Sequence, residues 1–215
     1  MFGFRSSSMV SADSALPGRA QPVFEVPDTH AVLRSSMRGP WSATTEVIYL
    51  ASGCFWGAEE LMWAVPGIVS TSVGYMGGYT RNPTYEEVCT GMTGHTETVM
   101  VAYEPSSVTL YDVFKVFWEN HDPTQGFRQG NDIGTQYRSA IFYTTAEQKE
   151  MAEATRDAYQ RVISERGYGT ITTEIASAAG HIYYLAEDYH QQYLFKVPHG
   201  YRCHANTGLA LPALV

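Results

Sequence analysis

From residue 46 onward, short apolar runs alternate with amphipathic stretches, whereas the first 45 residues show little period. The run EVIYLAS (46–52) has strand length and composition. Gly53 permits a sharp turn. CFWGAEELMWAV then continues as a helix, with Phe55, Glu59, Leu61, Met62 and Val65 giving it a largely apolar side, until Pro66-Gly67 stops it. Residues 68–75 predict a second strand, followed by a loop (MGGYTRNP) whose glycines allow unusual backbone angles. Thr84 and Glu87 stand in the T-x-x-E spacing of a capping box, so TYEEVC predicts a short helix. Residues 95–103 predict a third strand. Leu110, Val113, Phe114, Phe117 and Trp118 recur at helical spacing and predict an amphipathic helix over 109–120.

The segment 121–136 (HDPTQGFRQGNDIGTQ) is polar and contains glycine, and a loop of that length inside a compact domain is usually functional. Beyond it, 138–144 predicts a strand, Thr145 and Gln148 open a long helix to about residue 166, 170–177 alternates as a strand, and 182–185 is a short further one. The uneven alternation of strands and helices predicts an α+β fold. It is a two-layer α/β sandwich with a mixed sheet, helices packed on it and a ferredoxin-like core. The expected organisation is a single domain: an extended N-terminal arm (1–45) rich in Ser, Pro, Ala and Gly, a catalytic sandwich (46–197), and a mobile C-terminal tail (198–215).

A length of 215 residues is enough to bury a core without covalent staples. The net charge of −8 is spread along the chain with no cluster of Lys and Arg, which argues against nucleic acid as a partner. No stretch has the length of a membrane span. Three cysteines, an odd number, make a poor disulfide framework and favour a reducing, cytoplasmic setting. The Ser-rich, acid-poor first eleven residues are also compatible with a short transit signal. Seven histidines are present, but no pair has the H-x-x-x-H or C-x-x-C spacing of a zinc site, so neither a metal nor another cofactor is expected.

Candidate chemistry centres on Gly53-Cys54-Phe55-Trp56-Gly57, between a strand and a helix. A thiol at a helix N-terminus meets free N–H groups and the positive end of the macrodipole, which lower its pKa and favour the nucleophilic thiolate. A buried structural cysteine fits the same position, since free cysteine is among the most buried residue types. On the strand 95–103, Glu97 shares a face with Val99 and Val101. A carboxyl there is desolvated and can stay protonated near neutrality, ready to act as a general acid, unless Glu97 lies at the solvated end of the strand. Asp132 sits on the long polar loop, where a turn-forming role is the common one. Tyr85 and Tyr137 are among 15 tyrosines, most of which need only structural reasons.

Taken together, the segments GCFWGAEELMWAVPGI, GYMGGYTRNPTYEEVCTGMTGHTE, VFWENHDPTQGFRQGNDIGTQYRSAIFY, TEI and AEDYHQQYL resemble the A-type peptide methionine sulfoxide reductases. The resemblance covers nearly the whole chain from residue 46. It implies Cys54 as the nucleophile and Glu97 as the acid that protonates the sulfoxide oxygen. It also implies Tyr85 and Tyr137 as hydroxyls that bind this oxygen, Phe55 and Trp56 as the pocket for the S-methyl group, and Asp132 as a residue that orients the substrate. The expected reaction reduces the S epimer of methionine sulfoxide, in proteins, peptides or free, through a Cys54 sulfenic acid. Cys203 in the tail is the candidate to condense with that acid, giving a Cys54–Cys203 disulfide for thioredoxin or a similar thiol donor to reduce. Many family members carry two tail cysteines, whereas here Ala210 stands where the second is expected, so a single disulfide is implied. Cys89 reads as structural. The expected form is a monomer. Two rival readings are a thiol peroxidase using the same cysteine pair and a non-catalytic protein that binds methionine sulfoxide.

Overall fold

A computed structural model of the protein describes residues 8–214. Most of the stretch carrying the candidate transit signal, and the start of the arm, lie outside the described residues. The sandwich is built on strand β1 (Glu46–Ser52), helix α1 (Phe55–Trp63), β2 (Ile68–Met76), a short α2 (Tyr85–Cys89), β3 (Thr96–Tyr103) and α3 (Leu110–Glu119). It continues through β4 (Arg128–Gln129), β5 (Asp132–Ile133), β6 (Ser139–Tyr143), α4 (Ala146–Ser164), β7 (Glu174–Ser177), β8 (Tyr184–Leu185) and α5 (Tyr193–Lys196). Six strands form one sheet in the order β7-β6-β1-β3-β2-β8. The pairs β6·β1, β1·β3 and β3·β2 are antiparallel, and β7 joins parallel to β6, so the sheet is mixed. With α1 linking β1 to β2 and α3 linking β3 to β6, the central four strands have the split βαβ arrangement of a ferredoxin-like core.

Hydrophobic spacing explains the packing. Leu110, Val113, Phe114, Phe117 and Trp118 of α3 are buried against one face of the sheet, with Ile48, Leu50, Val99 and Val101 opposite. At roughly 1.5–3 kcal/mol per fully buried large apolar side chain, this stripe outweighs any helix propensity. The one polar atom it buries is satisfied, since the Trp118 indole N–H donates to Thr155 Oγ1 at 2.9 Å. Thr84 and Glu87 form the expected capping box at α2, and Thr109 and Thr145 cap α3 and α4.

Three segments differ from their sequence reading. The loop 121–136 contains the small β4–β5 hairpin, turning at Gly130 (φ 59°). The last strand of the alternating stretch starts only at Glu174, because the amide of Thr172 is taken by the Pro123 carbonyl and that of Ile171 by Gln160, both outside the sheet. The tail expected to be mobile has no regular element among its described residues, yet it is fastened near Leu211. Leu211 is buried, the Tyr111 hydroxyl donates to its carbonyl, and Glu119 accepts from its amide.

The arm is also fastened. His30 and Met37 are fully buried. His30 Nδ1 accepts from the amides of Val32 and Leu33, so its Nε2–H donates to Thr71 Oγ1 (2.8 Å), whose hydroxyl donates to Glu59 of α1 (2.9 Å). The backbone and side-chain N–H groups of Gln192 donate to the same carboxyl at 2.8 Å each. Burial pushes Glu59 up to about 7, against these bonds. A folded-state pKa raised above the unfolded value gives stability that is complete below pH 4.5 and lost as pH rises through about 7. The loss is on the order of 3 kcal/mol. Denaturant titration at pH 5 and pH 8 should therefore show a flatter pH dependence for Glu59→Gln than for the wild type. Parallel slopes would refute the buried acid.

Candidate active site

The end of β1 delivers the chain to Gly53, whose φ of 94° suits glycine and where a Cβ would come within 2.6 Å of Gln129 Cγ. The next residue, Cys54, is the N-cap of α1. The adjacent strand β3 runs antiparallel to β1, with Leu50 opposite Val99, so Glu97 falls beneath the start of α1. There the backbone N–H of Phe55 donates to Glu97 Oε2 at 3.0 Å. Glu97 is buried, not at a solvated strand end. Desolvation lifts its pKa to about 8, with Asp132 adding and the Phe55 N–H opposing, so the carboxyl is uncharged at neutral pH.

Cys54 departs from the expectation of a depressed pKa. Its residue keeps some surface open, yet enough protein surrounds the sulfur that burial pushes the thiol well above the usual value. Glu97, when ionised, pushes the same way, as do Asp132 and Cys203, and the Trp56 N–H opposes them. One helix terminus does not outweigh desolvation here, and Cys54 rests as a thiol.

Phe55 and Trp56 diverge around His190. Phe55 is buried with ring centroids 5.9 Å from Tyr75 and 5.5 Å from His190. Trp56 stacks on Tyr193 at 4.0 Å, and its indole N–H donates to His190 Nδ1 at 3.1 Å. Burial and then Glu97 raise the phenols of both Tyr85 and Tyr137, so both stay protonated donors near this carboxyl. Asp132 is half-buried and accepts from the Tyr201 hydroxyl at 3.1 Å, which ties the hairpin to the tail. Cys203 is in reach of the same place: it lines one cavity with Cys54, Glu60, Leu61 and Gln129, and its thiol donates to the Gln129 carbonyl at 3.6 Å. Cys54, Cys89 and Cys203 are all free. Burial, then Glu97, pushes the Cys89 thiol up to about 11.

Sequence reasoning assigned no role at the site to Glu187, His190, Tyr193 or Tyr75. Glu187 accepts from the Tyr75 hydroxyl and the Tyr85 amide, both at 2.8 Å, and the His190 ring lies 4.4 Å from that of Tyr85. The signal for Glu187, His190 and Tyr193 was the segment AEDYHQQYL, more than a hundred residues from the aromatic pair it supports, and that for Tyr75 was the segment beginning GYMGGYT. Among the described residues, no three His, Cys, Asp or Glu side chains cluster as metal ligands, and no helix is long and apolar enough to cross a membrane.

The family model for peptide methionine sulfoxide reductase matches residues 46–214. The chain is 54% identical to the peptide methionine sulfoxide reductase MsrA of Rhodospirillum centenum, over 97% of this chain and 95% of that one. It is equally identical to that of Salinispora arenicola, over 96% and 93%. Among solved structures, methionine sulfoxide reductase A of Corynebacterium diphtheriae superposes with a TM-score of 0.84 at 48% identity, covering 96% of this chain and all of that one. The reduced form of Mxr1 from Saccharomyces cerevisiae superposes with a TM-score of 0.67 at 35% identity, covering 77% and 93%.

Proposed function

This chain belongs to the peptide methionine sulfoxide reductase family and is an enzyme that reduces methionine sulfoxide; we propose that Cys54 takes the sulfoxide oxygen while Glu97 manages the protons. The observation that carries this reading is the buried, uncharged Glu97 carboxyl held against the first amide of α1, beside Cys54. In the proposed complex the S-methyl group lies against Phe55 and Trp56. The sulfoxide oxygen faces Glu97, Tyr85 and Tyr137, and Asp132 orients the rest of the substrate. A sulfoxide oxygen leaves poorly until protonated. Glu97 gives it a proton, and the two phenols donate to the oxygen as charge shifts onto it. The positive charge that develops on the substrate sulfur favours loss of the Cys54 proton, which returns to Glu97. Cys54 sulfur attacks the substrate sulfur, the hydroxyl passes to Cys54 as the S–O bond to methionine and the transient S–S bond break, and methionine leaves with Cys54 as a sulfenic acid. Thiol plus sulfoxide thus becomes sulfenic acid plus sulfide, and Glu97 is protonated again.

Cys203 then completes the cycle. Its thiol loses a proton, an S–S bond to Cys54 forms, the S–O bond breaks and water departs. Thioredoxin or a similar thiol donor reduces the disulfide. The odd number of cysteines suits a reducing cytoplasm, and the enzyme works as a monomer on protein-bound, peptide or free methionine sulfoxide. To test this, the reduced enzyme is offered each epimer of a peptide methionine sulfoxide, first with dithiothreitol and then with thioredoxin. Only the S epimer should be consumed, and equal consumption of both contradicts the proposal. Cys203→Ser should form one equivalent of methionine in a single turnover and fail to cycle with thioredoxin. Undiminished cycling removes Cys203 from the mechanism.

A further inference from the structure

The residue before Cys203 makes a connection that the reductase chemistry leaves unused. Arg202 reaches from the tail to α1, where its Nε and Nη2 donate to the two carboxylate oxygens of Glu60 at 2.7 Å each. Its Nη1 turns back to the carbonyls of Pro198 (2.9 Å) and Gly200 (3.4 Å). One guanidinium therefore fixes the fold of the tail upon itself and its position on α1. Planar, two-point pairing with a carboxylate sets orientation as well as distance. On the other side of Cys203 the chain is pressed against the β4–β5 turn, where a Cβ on Gly130 would lie 3.4 Å from Cys203 Sγ and 2.8 Å from Ala205 Cβ. Glu60 is in the helix that Cys54 caps, and Glu60, Arg202, Cys54 and Cys203 line the same cavity.

We infer that the Arg202–Glu60 pair is a clasp that holds the reduced tail on α1, so that Cys203 meets the Cys54 sulfenic acid as soon as it forms. Arg202 and Glu60 are positioning residues for the second step, in which the S–S bond forms, the S–O bond breaks and water leaves. The inference rests on the reading of Cys203 as the second thiol. Holding the two sulfurs close makes an otherwise slow encounter local. Speed at this step matters, because an exposed sulfenic acid is open to further, irreversible oxidation.

The experiment uses the full-length, reduced enzyme mixed with one equivalent of a peptide methionine S-sulfoxide and quenched at intervals. Methionine reports the first step, loss of the second free thiol reports the disulfide, and dimedone adducts report sulfenic acid. The pair is about a third exposed on both sides (32% and 33%), so its effect is bounded. Arg202→Gln should slow disulfide formation about fivefold relative to methionine formation, with dimedone-trapped sulfenic acid accumulating. Arg202→Lys, which keeps the charge but not the fork, should fall between. Glu60→Gln should reproduce the defect and serves if the arginine variant does not fold. Molar salt should slow the wild-type second step and leave Arg202→Gln unchanged. An unaltered ratio of the two rates in the Arg202 and Glu60 variants, with Cys203→Ser still blocking the disulfide, overturns the clasp and leaves the thiol assignment standing. If Cys203→Ser loses its second thiol at the wild-type rate, the assignment and the clasp fall together.

Discussion

Cys54→Ser is expected to form no methionine above the uncatalysed background, even in a single turnover with excess dithiothreitol. The loss is complete because the reaction needs an atom that can accept oxygen. A cysteine sulfur takes up the sulfoxide oxygen as a sulfenic acid, a two-electron oxidation that sulfur undergoes readily. A serine oxygen would have to form an O–O bond, for which no driving force exists. The variant should fold as the wild type does, because serine is a favoured N-cap residue whose hydroxyl can accept the Trp56 N–H in place of the thiol. An unchanged thermal midpoint together with zero product, measured by separating methionine from its sulfoxide, would isolate the chemistry. Methionine formed by Cys54→Ser at a measurable fraction of the wild-type rate would require a different acceptor.

Glu97→Gln carries the second large effect. General acids typically contribute about 10²–10⁴-fold, and single-turnover methionine formation at pH 7 should fall by a factor in that range. The amide can still accept the Phe55 N–H through its carbonyl oxygen, so the start of α1 keeps its anchor. The pH profile separates loss of the acid from loss of structure. Glu97 is lifted to about 8, so its proton is present through neutrality and is withdrawn as pH rises through that value. The wild-type rate should be level below pH 7 and fall about tenfold per unit above pH 8. Cys54 ionises well above the usual thiol value and does not offset the decline. In Glu97→Gln the decline near pH 8 should vanish. A wild-type profile that rises through pH 8 would mean that thiolate formation, not the acid, limits the reaction.

The same carboxyl affects folding. Because its folded-state pKa is raised, its contribution is complete below about pH 4.5 and is lost as pH climbs through about 8. Glu97 thus weakens the fold over the range in which it would serve the proposed chemistry, which is the usual relation of a buried functional group to stability.

Much of the fold was legible along the chain because it is dictated locally. The stripe Leu110, Val113, Phe114, Phe117 and Trp118 reports a 3.6-residue period, and Thr84 and Glu87 report a capping box by spacing alone. The position of Cys54 between a strand and a helix was legible for the same reason. Less local features were misjudged. The hairpin at Gly130 is two residues a side, too short for a periodic signal, and Thr172 was lost from β7 to a carbonyl nearly fifty residues away. The fastening of arm and tail depends on His30, Glu59 and Leu211 meeting partners far along the chain.

By itself the sequence determined the order of the main elements and the family, and it singled out the proposed nucleophile and acid, since periodicity and motif spacing are properties of neighbouring residues. The tertiary structure alone decided the protonation of that site and the company it keeps. Cys54 is a thiol at rest and Glu97 an uncharged acid because the protein packed around them excludes water, and no helix N-terminus read in isolation measures that cost. His190 at the edge of Trp56 and Arg202 on Glu60 are likewise matters of folding, for hydrogen bonds and ion pairs act over a few ångströms of space whatever the distance along the chain.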